Sequence, residues 1–426
     1  ATMATTLRVL LFYCVLSSGT AAAATPRVCI THSGGFTAGA ADLILGRTLS
    51  NAPPYIYVTQ GDNAARGTTV VPVLFDAIDS HYRVYSPSEA NLFIAFVKLH
   101  EPPYVAASAE ARSKAWVQRR LCHDLSNATA SLAPFPPKRS FVLASLGEHE
   151  WACSTSKALL TLEADVPGPE EPWSDVQHGL VRRMQLPFIS FVRWSARFDA
   201  AGWVAPWRQR SERRLLVSFV GSIGGEPTSE RRLARSRIVN SCKAVGKETC
   251  GLLLLSPTGP WEPPNEFWRA PSEIADDDPG SQTLRELVTL KRRSVFCIEP
   301  PGAAPGRKSI IDSLLLGCIP VFVMDHQMAM HFDVFLPSHF WWRRNASVAF
   351  TVEKVTHRHD NTFNLMAALA QLNTSGAAAR MQATIAAHGH RLVYGLERGH
   401  YRDDDAVGST LRGMLSRISR RHGAPS

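Results

Sequence analysis

Several familiar signatures are missing from this sequence. It has no CxxC pair and no Cys/His spacing of the zinc-binding kind, so a zinc-finger or zinc-ribbon module is excluded. It has no Gly-Lys-Ser/Thr Walker ending and no GxGxxG fingerprint, which removes the P-loop and dinucleotide-binding readings. No basic, aromatic-interleaved motif points to nucleic acid, and no repeat of solenoid period is present. The apolar run near the start, Val9 to Leu16, is short for a bilayer span, which takes roughly 20 apolar residues.

What is present bounds the class. A chain of 426 residues is too long for one ordinary core and suggests two domains. With 45% hydrophobic and 19% charged residues it reads as globular rather than disordered. A net charge of +9 favours anionic partners: phosphates, nucleotides, acidic glycans or membrane surfaces.

Arg8, the run from Val9 to Leu16, and the small residues up to Ala24 form a secretory leader pattern over residues 1–24. It reads as a cleaved signal or, counting the alanines, a signal-anchor. The sequons at Asn127, Asn345 and Asn373 fit the same route, which leads to the Golgi and the secretory lumen, as a type II membrane protein or in soluble form after cleavage. Of eight cysteines, removal of Cys14 with a leader leaves seven, an odd number that implies a free, buried thiol. Cys242 and Cys250 are spaced to pair across a turn.

Two runs of alternating strand and helix signals follow. In the first, Asn91 to Val97 is a continuous apolar run with the look of a central parallel strand, and Phe141 to Ala144 is another. In the second, Leu215 to Val220 is a strand that stops at Gly221-Ser222-Ile223-Gly224-Gly225, and a basic helix covers Glu230 to Lys243. Then come a helix from Ser281 to Arg293, a strand from Val295 to Ile298, a helix from Arg307 to Leu316 and a strand from Ile319 to Val323. Such alternation predicts an α/β fold of parallel sheets with right-handed crossovers. The expected units are residues 25–205, residues 206–395, and a basic C-terminal helix or tail over 396–426, with Arg412, Arg417, Arg420 and Arg421.

The stretch from Cys297 to Asp325 carries the chemistry. Pro300 to Gly306 is a Pro/Gly/Ala loop that lets the backbone turn closely around a ligand. Arg307 and Lys308 stand where the next helix begins, and its free amides and positive dipole end favour an anion. Arg307 can fork onto phosphate oxygens and Lys308 adds a point charge. Asp312, about one turn on, suits a ribose hydroxyl, and Gly221 and Ser222 offer a second wall of amides. The bland alternative is a solvated basic helix start beside an ordinary loop.

The segment KRRSVFCIEPPGAAPGRKSIIDSLLLGCIPVFVMD, Lys291 to Asp325, resembles the most recognisable part of the exostosin-like glycosyltransferases, family 47. The matching pieces are Arg293 to Ile298, Pro300, Gly302, Arg307 to Ser313 with Ser309 among them, and Gly317 to Val321. Weaker similarities lie at Tyr82 to Val97, His149 to Ser154, Arg213 to Ser222 and Phe335 to Phe350, so the likeness reaches loosely over residues 27–395. Lys308 stands where the family has a second arginine, Ile311 where it has an aromatic, and Glu150 where it more often has aspartate.

The resemblance implies a GT-B fold: two doubly wound Rossmann-like domains facing across a cleft. It implies a glycosyltransferase, hexosyl or pentosyl, moving sugar from a UDP- or GDP-sugar to a polysaccharide or glycoprotein glycan, with inversion. No cofactor is required beyond that co-substrate, and the need for a divalent metal stays open. A partner glycosyltransferase in a hetero-oligomer is a further expectation. The reaction needs a base, for which Glu150 beside His149 is the candidate, and charge stabilisation on the leaving diphosphate. His32 is either a residue of the acceptor side or, the blander reading, a polar surface histidine. Trp194, Trp203, Trp207, Trp341 and Trp342 either stack on sugars or pack a seam between domains. The triplets at Asp276 and Asp403 read as solvated acidic loops. The alternative is a glycan-binding protein that keeps the GT-B fold without the chemistry.

Overall fold

The computed structural model describes residues 26–32, 55–56, 77–86, 88–97, 123, 127, 130–135, 140–144, 158–161, 184–185, 187–188, 190, 192–194, 199–209, 213–223, 229–254, 279–300, 307–324, 340–356, 362–394 and 404–420. Glu150, His149, Gly302 and the Asp276 triplet lie outside them.

In chain order the strands are β1 (Val28–His32), β2 (Tyr55–Ile56), β3 (Leu92–Val97), β4 (Ser140–Ala144), β5 (Ala158–Thr161), β6 (Met184–Gln185), β7 (Val192–Arg193), β8 (Leu215–Gly221), β9 (Cys250–Leu254), β10 (Ser294–Glu299), β11 (Ile319–Met324) and β12 (Val348–Thr351). The helices are α1 (Glu230–Val245), α2 (Pro279–Arg293), α3 (Lys308–Leu315), α4 (Val352–Thr356), α5 (Leu365–Thr374), α6 (Ala377–His388) and α7 (Ala406–Arg420).

Two five-stranded parallel sheets result, with a short antiparallel pair of β2 and β7 beside them. The first runs β1-β3-β4-β5-β6. A parallel bridge from Val28 to Arg83 lies against β1 as well, although Arg83 precedes β3 in the chain. The winding therefore reverses beside β1. The second sheet runs β12-β11-β10-β8-β9, so its reversal falls between β8 and β10. Both orders are doubly wound, and two such sheets give the expected GT-B class.

The apolar runs explain the centre of the second sheet. β10 and β11 are buried along their whole length, as strands covered on both faces must be. Among the described residues no helix is long and apolar enough to cross a membrane.

One guanidinium fixes the base of this sheet. Arg213 Nη1 donates to the carbonyls of Arg292 at 3.1 Å and Ser294 at 2.7 Å, and Nη2 donates to that of Leu316 at 3.0 Å. It thereby joins the end of α2, the start of β10 and the end of α3. Burial, with Arg292 adding to it, brings Arg213 down to about 10. α3 ends in a Schellman motif: Gly317 N–H donates to Leu314 O at 2.9 Å and Cys318 N–H to Ser313 O at 2.8 Å. Gly317 has φ of 72°, and a Cβ there would collide with Arg213.

One expectation needs correction. Asp404 and Asp405 are not a solvated acidic loop. Asp405 is buried and its Oδ1 accepts from Gly408 N–H at 2.9 Å, capping α7, while Asp404 pairs with His390 at 2.7 Å. In the C-terminal helix Ala406, Val407, Leu411 and Met414 are buried.

Gly246, at φ 79° with nothing near its would-be Cβ, supplies a control for Gly317. Both Gly→Ala substitutions should cost about 1–2 kcal/mol for the left-handed backbone. Gly317→Ala should cost about 3–5 kcal/mol in all, because it also displaces a half-buried guanidinium from its carbonyls. Urea denaturation of the two variants measures this, and equal losses would refute the Arg213 account.

Candidate active site

The reversal between β8 and β10 is where open α/β sheets bind ligands, outside the carboxyl ends of their strands. β8 ends at Gly221 and β10 at Glu299. Each is followed by a helix, α1 and α3, whose starts lie on that side.

Three arginines meet there. Arg231 and Arg235 are one turn apart on α1, and Arg307 is the N-cap of α3, with extended backbone at φ −144°. Burial, then the charges of Arg307 and Arg231, holds the Arg235 guanidinium below its usual value. Burial does the same to Arg307, with Glu299 opposing and Arg231 adding to it. Arg231 is exposed, and Arg235 and Arg307 are half-buried. Arg235 Nη1 also donates to Ser222 O at 3.3 Å, which ties α1 to the loop after β8. Ser229 caps α1 by accepting from Arg232 N–H at 3.3 Å.

Under this cluster sits a buried ion pair. Lys291 Nζ lies 3.2 Å from Glu299 Oε1, with side chains 3% and 5% exposed. Ser313 Oγ donates to the same oxygen at 2.9 Å, and Ser309 Oγ donates to Oε2 at 2.6 Å. Arg307 Nη2 stands 3.7 Å from Oε2. Burial alone would raise the Glu299 carboxyl, yet Lys291, Arg307 and the two serine hydroxyls hold it below its ordinary value. Lys291 further donates to Ser309 O at 2.8 Å and Ser313 Oγ at 2.7 Å. Arg307 Nε is buried with no hydrogen-bond partner.

Several of the sequence candidates lie around this centre. Arg307, Gly221 and Ser222 stand at the two strand ends, and Pro300 is buried directly after β10. Lys308, also there, is paired within its own helix, 3.1 Å from Asp312 Oδ2. Asp312, expected at a ribose, is buried, and its Oδ1 also accepts from Ser190 Oγ at 2.6 Å. Ser309, expected in the donor loop, directs its hydroxyl to Glu299. Asn127, Asn345 and Asn373 are exposed. Trp194 and Trp207 pack edge to face in the core at 5.8 Å, and Trp342 is buried. Trp341 is 65% exposed.

Sequence reading missed Arg231, Arg235 and the Lys291–Glu299 pair. The i,i+4 arginines directly after a strand and glycine loop were the available signal for the first. The expected Cys242–Cys250 disulfide is present, and a second, unforeseen one joins Cys297 to Cys318. It links β10 to the residue just before its parallel neighbour β11.

These two sheets and the basic switch point define a protein of the GT-B class. Residues 174–361 match the Exostosin GT47 domain. It is 30% identical over 138 residues to xyloglucan-specific galacturonosyltransferase 1 of Arabidopsis thaliana, covering 32% of this chain and 17% of that protein. It is 27% identical over 219 residues to the probable xyloglucan galactosyltransferase GT19 of the same plant, covering 51% and 45%. The chain thus spans less than half the length of either relative. Among solved structures it is similar to AviGT4, a glycosyltransferase involved in avilamycin A biosynthesis, at 12% identity and a TM-score of 0.29 over 93% of this chain and 96% of that one. The likeness is slight, and the fold rests on the strand orders themselves.

The depressed Glu299 carboxyl has a pH consequence. Its stabilising contribution is complete above the unfolded value near 4.5 and is lost as pH falls through the lower folded value. Glu299→Gln should therefore cost about 3–5 kcal/mol at pH 7, since it leaves Lys291 buried without its carboxylate. The gap from wild type should narrow steadily below pH 4.5. Urea unfolding across pH 7 to 3 reads it, and a gap constant with pH would contradict the assignment.

Proposed function

We propose that the chain is a glycosyltransferase that takes a nucleotide-sugar donor at the β8/β10 switch point and passes the sugar to a cell-wall polysaccharide. The observation that carries this is the placement of Arg231, Arg235 and Arg307 in the opening turns of the two helices that follow those strands at the switch point. The exostosin-type domain supports it, and so do relatives named for galactose and galacturonic acid transfer to xyloglucan.

In this reading the acceptor hydroxyl oxygen attacks the anomeric carbon from the face opposite the diphosphate. The bond from that carbon to the phosphate oxygen breaks, and its electron pair leaves on the diphosphate. The acceptor proton goes to a carboxylate, for which Glu150 is the candidate. One displacement inverts the anomeric carbon. The arginines stabilise charge that grows on the leaving group, so they act more strongly in the transition state than in the bound donor. Asp312 serves by holding Lys308 and Ser190 at the base of the site. A secretory compartment suits the two disulfides among the described residues, since such bonds persist where conditions are oxidising.

The test is a screen of UDP- and GDP-sugars with the full chain, followed by nucleotide release, with and without EDTA. One donor should be turned over by wild type, and Arg307→Ala should lower kcat/KM about 100-fold or more. The EDTA arm reads any metal requirement. Binding of glycan with no donor bound or turned over would replace this reading with that of a glycan-binding protein.

A further inference from the structure

The Lys291–Glu299 pair faces the cluster from beneath, and a buried pair is an expensive way to stabilise a fold. Its contacts are the clue to its use. Glu299 Oε1 serves Lys291 and Ser313, and Oε2 serves Ser309 and Arg307. Lys291 reaches Ser309 O and Ser313 Oγ as well. Beyond the pair itself, each of these bonds ends on α3 or on the arginine that caps it.

Arg307 needs such a restraint. Arg231 and Arg235 add like charge on its side of the sheet, and the Arg231 charge opposes its own. Glu299 supplies the opposing pull, at a separation of 3.7 Å that leaves the guanidinium's stronger hydrogen bonds uncommitted. Lys291 cancels the carboxylate's charge, so the pair adds geometry to the site with almost no net field.

We infer that Glu299, charge-balanced by Lys291, is a positioning residue that holds Arg307 and the first turn of α3 in the orientation that receives the donor diphosphate. This rests on the diphosphate reading of the switch point.

The experiment measures binding of inorganic pyrophosphate and of UDP to the full chain by calorimetry. The variants are Arg307→Ala, Glu299→Gln, the doubly substituted Lys291→Met/Glu299→Gln, and that double in the Arg307→Ala background. The double keeps the net charge of the site, so a change in affinity reports geometry. It should stay folded and bind both ligands about ten-fold more weakly. In the Arg307→Ala background the same two substitutions should change affinity by less than about two-fold, because the pair acts through Arg307.

Glu299→Gln alone separates the two effects by sign. Field alone predicts tighter anion binding, since a negative charge is lost, whereas positioning predicts weaker binding. If the double variant does not fold, Ser309→Ala removes one bond to Oε2 and should weaken both ligands about three-fold. Wild-type affinity in a folded double variant, or in Ser309→Ala, overturns the inference. So does an effect that is undiminished without Arg307. Wild type that binds neither ligand overturns the diphosphate reading itself, and the positioning role with it.

Discussion

The guanidinium of Arg213 is the constraint on which the second sheet depends. Its bonds to the carbonyls of Arg292, Ser294 and Leu316 clamp one helix end, one strand start and another helix end at a single point. Buried carbonyls at helix ends must be satisfied, and no side chain but arginine presents several donors in a rigid fork. Gly317 follows from this choice. The turn after α3 needs a left-handed residue, and the space where a side chain would stand is already occupied by Arg213.

The same logic operates at the other end of β10. Below the strand a cation satisfies carbonyl oxygens; above it a carboxylate satisfies hydroxyls and two cations. Lys291 belongs to both, since it lies in the last turn of α2 that Arg213 grips and its ammonium reaches Glu299. The position of Arg307 is thereby traceable through named bonds to the base of the sheet. A second line reaches it from the chain before β7: Ser190 Oγ donates to Asp312, which holds Lys308 beside Arg307. A rigid frame of this kind spends its reorganisation in folding rather than at the moment of reaction.

Much of this was legible. The runs Val295 to Ile298 and Ile319 to Val323 have strand length and no polar interruption, and they became β10 and β11 with one added residue at most places. The helix expected over Arg307 to Leu316 is α3, one residue shorter at each end, because Arg307 caps it and Leu316 closes it. In the chain before β7, which covers Val192–Arg193, Ser190 directs its hydroxyl to Asp312. What escaped reading are the long-range electrostatics. Lys291 and Glu299 are eight residues apart, and Arg235 and Arg307 much further. Charge pairing across such gaps has no local pattern, because it depends on the strand order, which a sequence does not print. Asp405 misled for a related reason. A run of aspartates looks solvated, but a capping role is decided by where the next helix begins.

The Cys297–Cys318 bond has a topological meaning. It closes the backbone from the end of β10 to the start of β11 into a covalent ring. Arg307, Ser309, Asp312 and Ser313 are all members of that ring, together with Glu299. The part of the candidate site that carries Arg307 is thus a macrocycle set at the centre of the second sheet. Its ends are held by sulfur whatever the composition of the proline- and alanine-rich segment between them. A single cut in that segment would leave both halves attached until the bond was reduced.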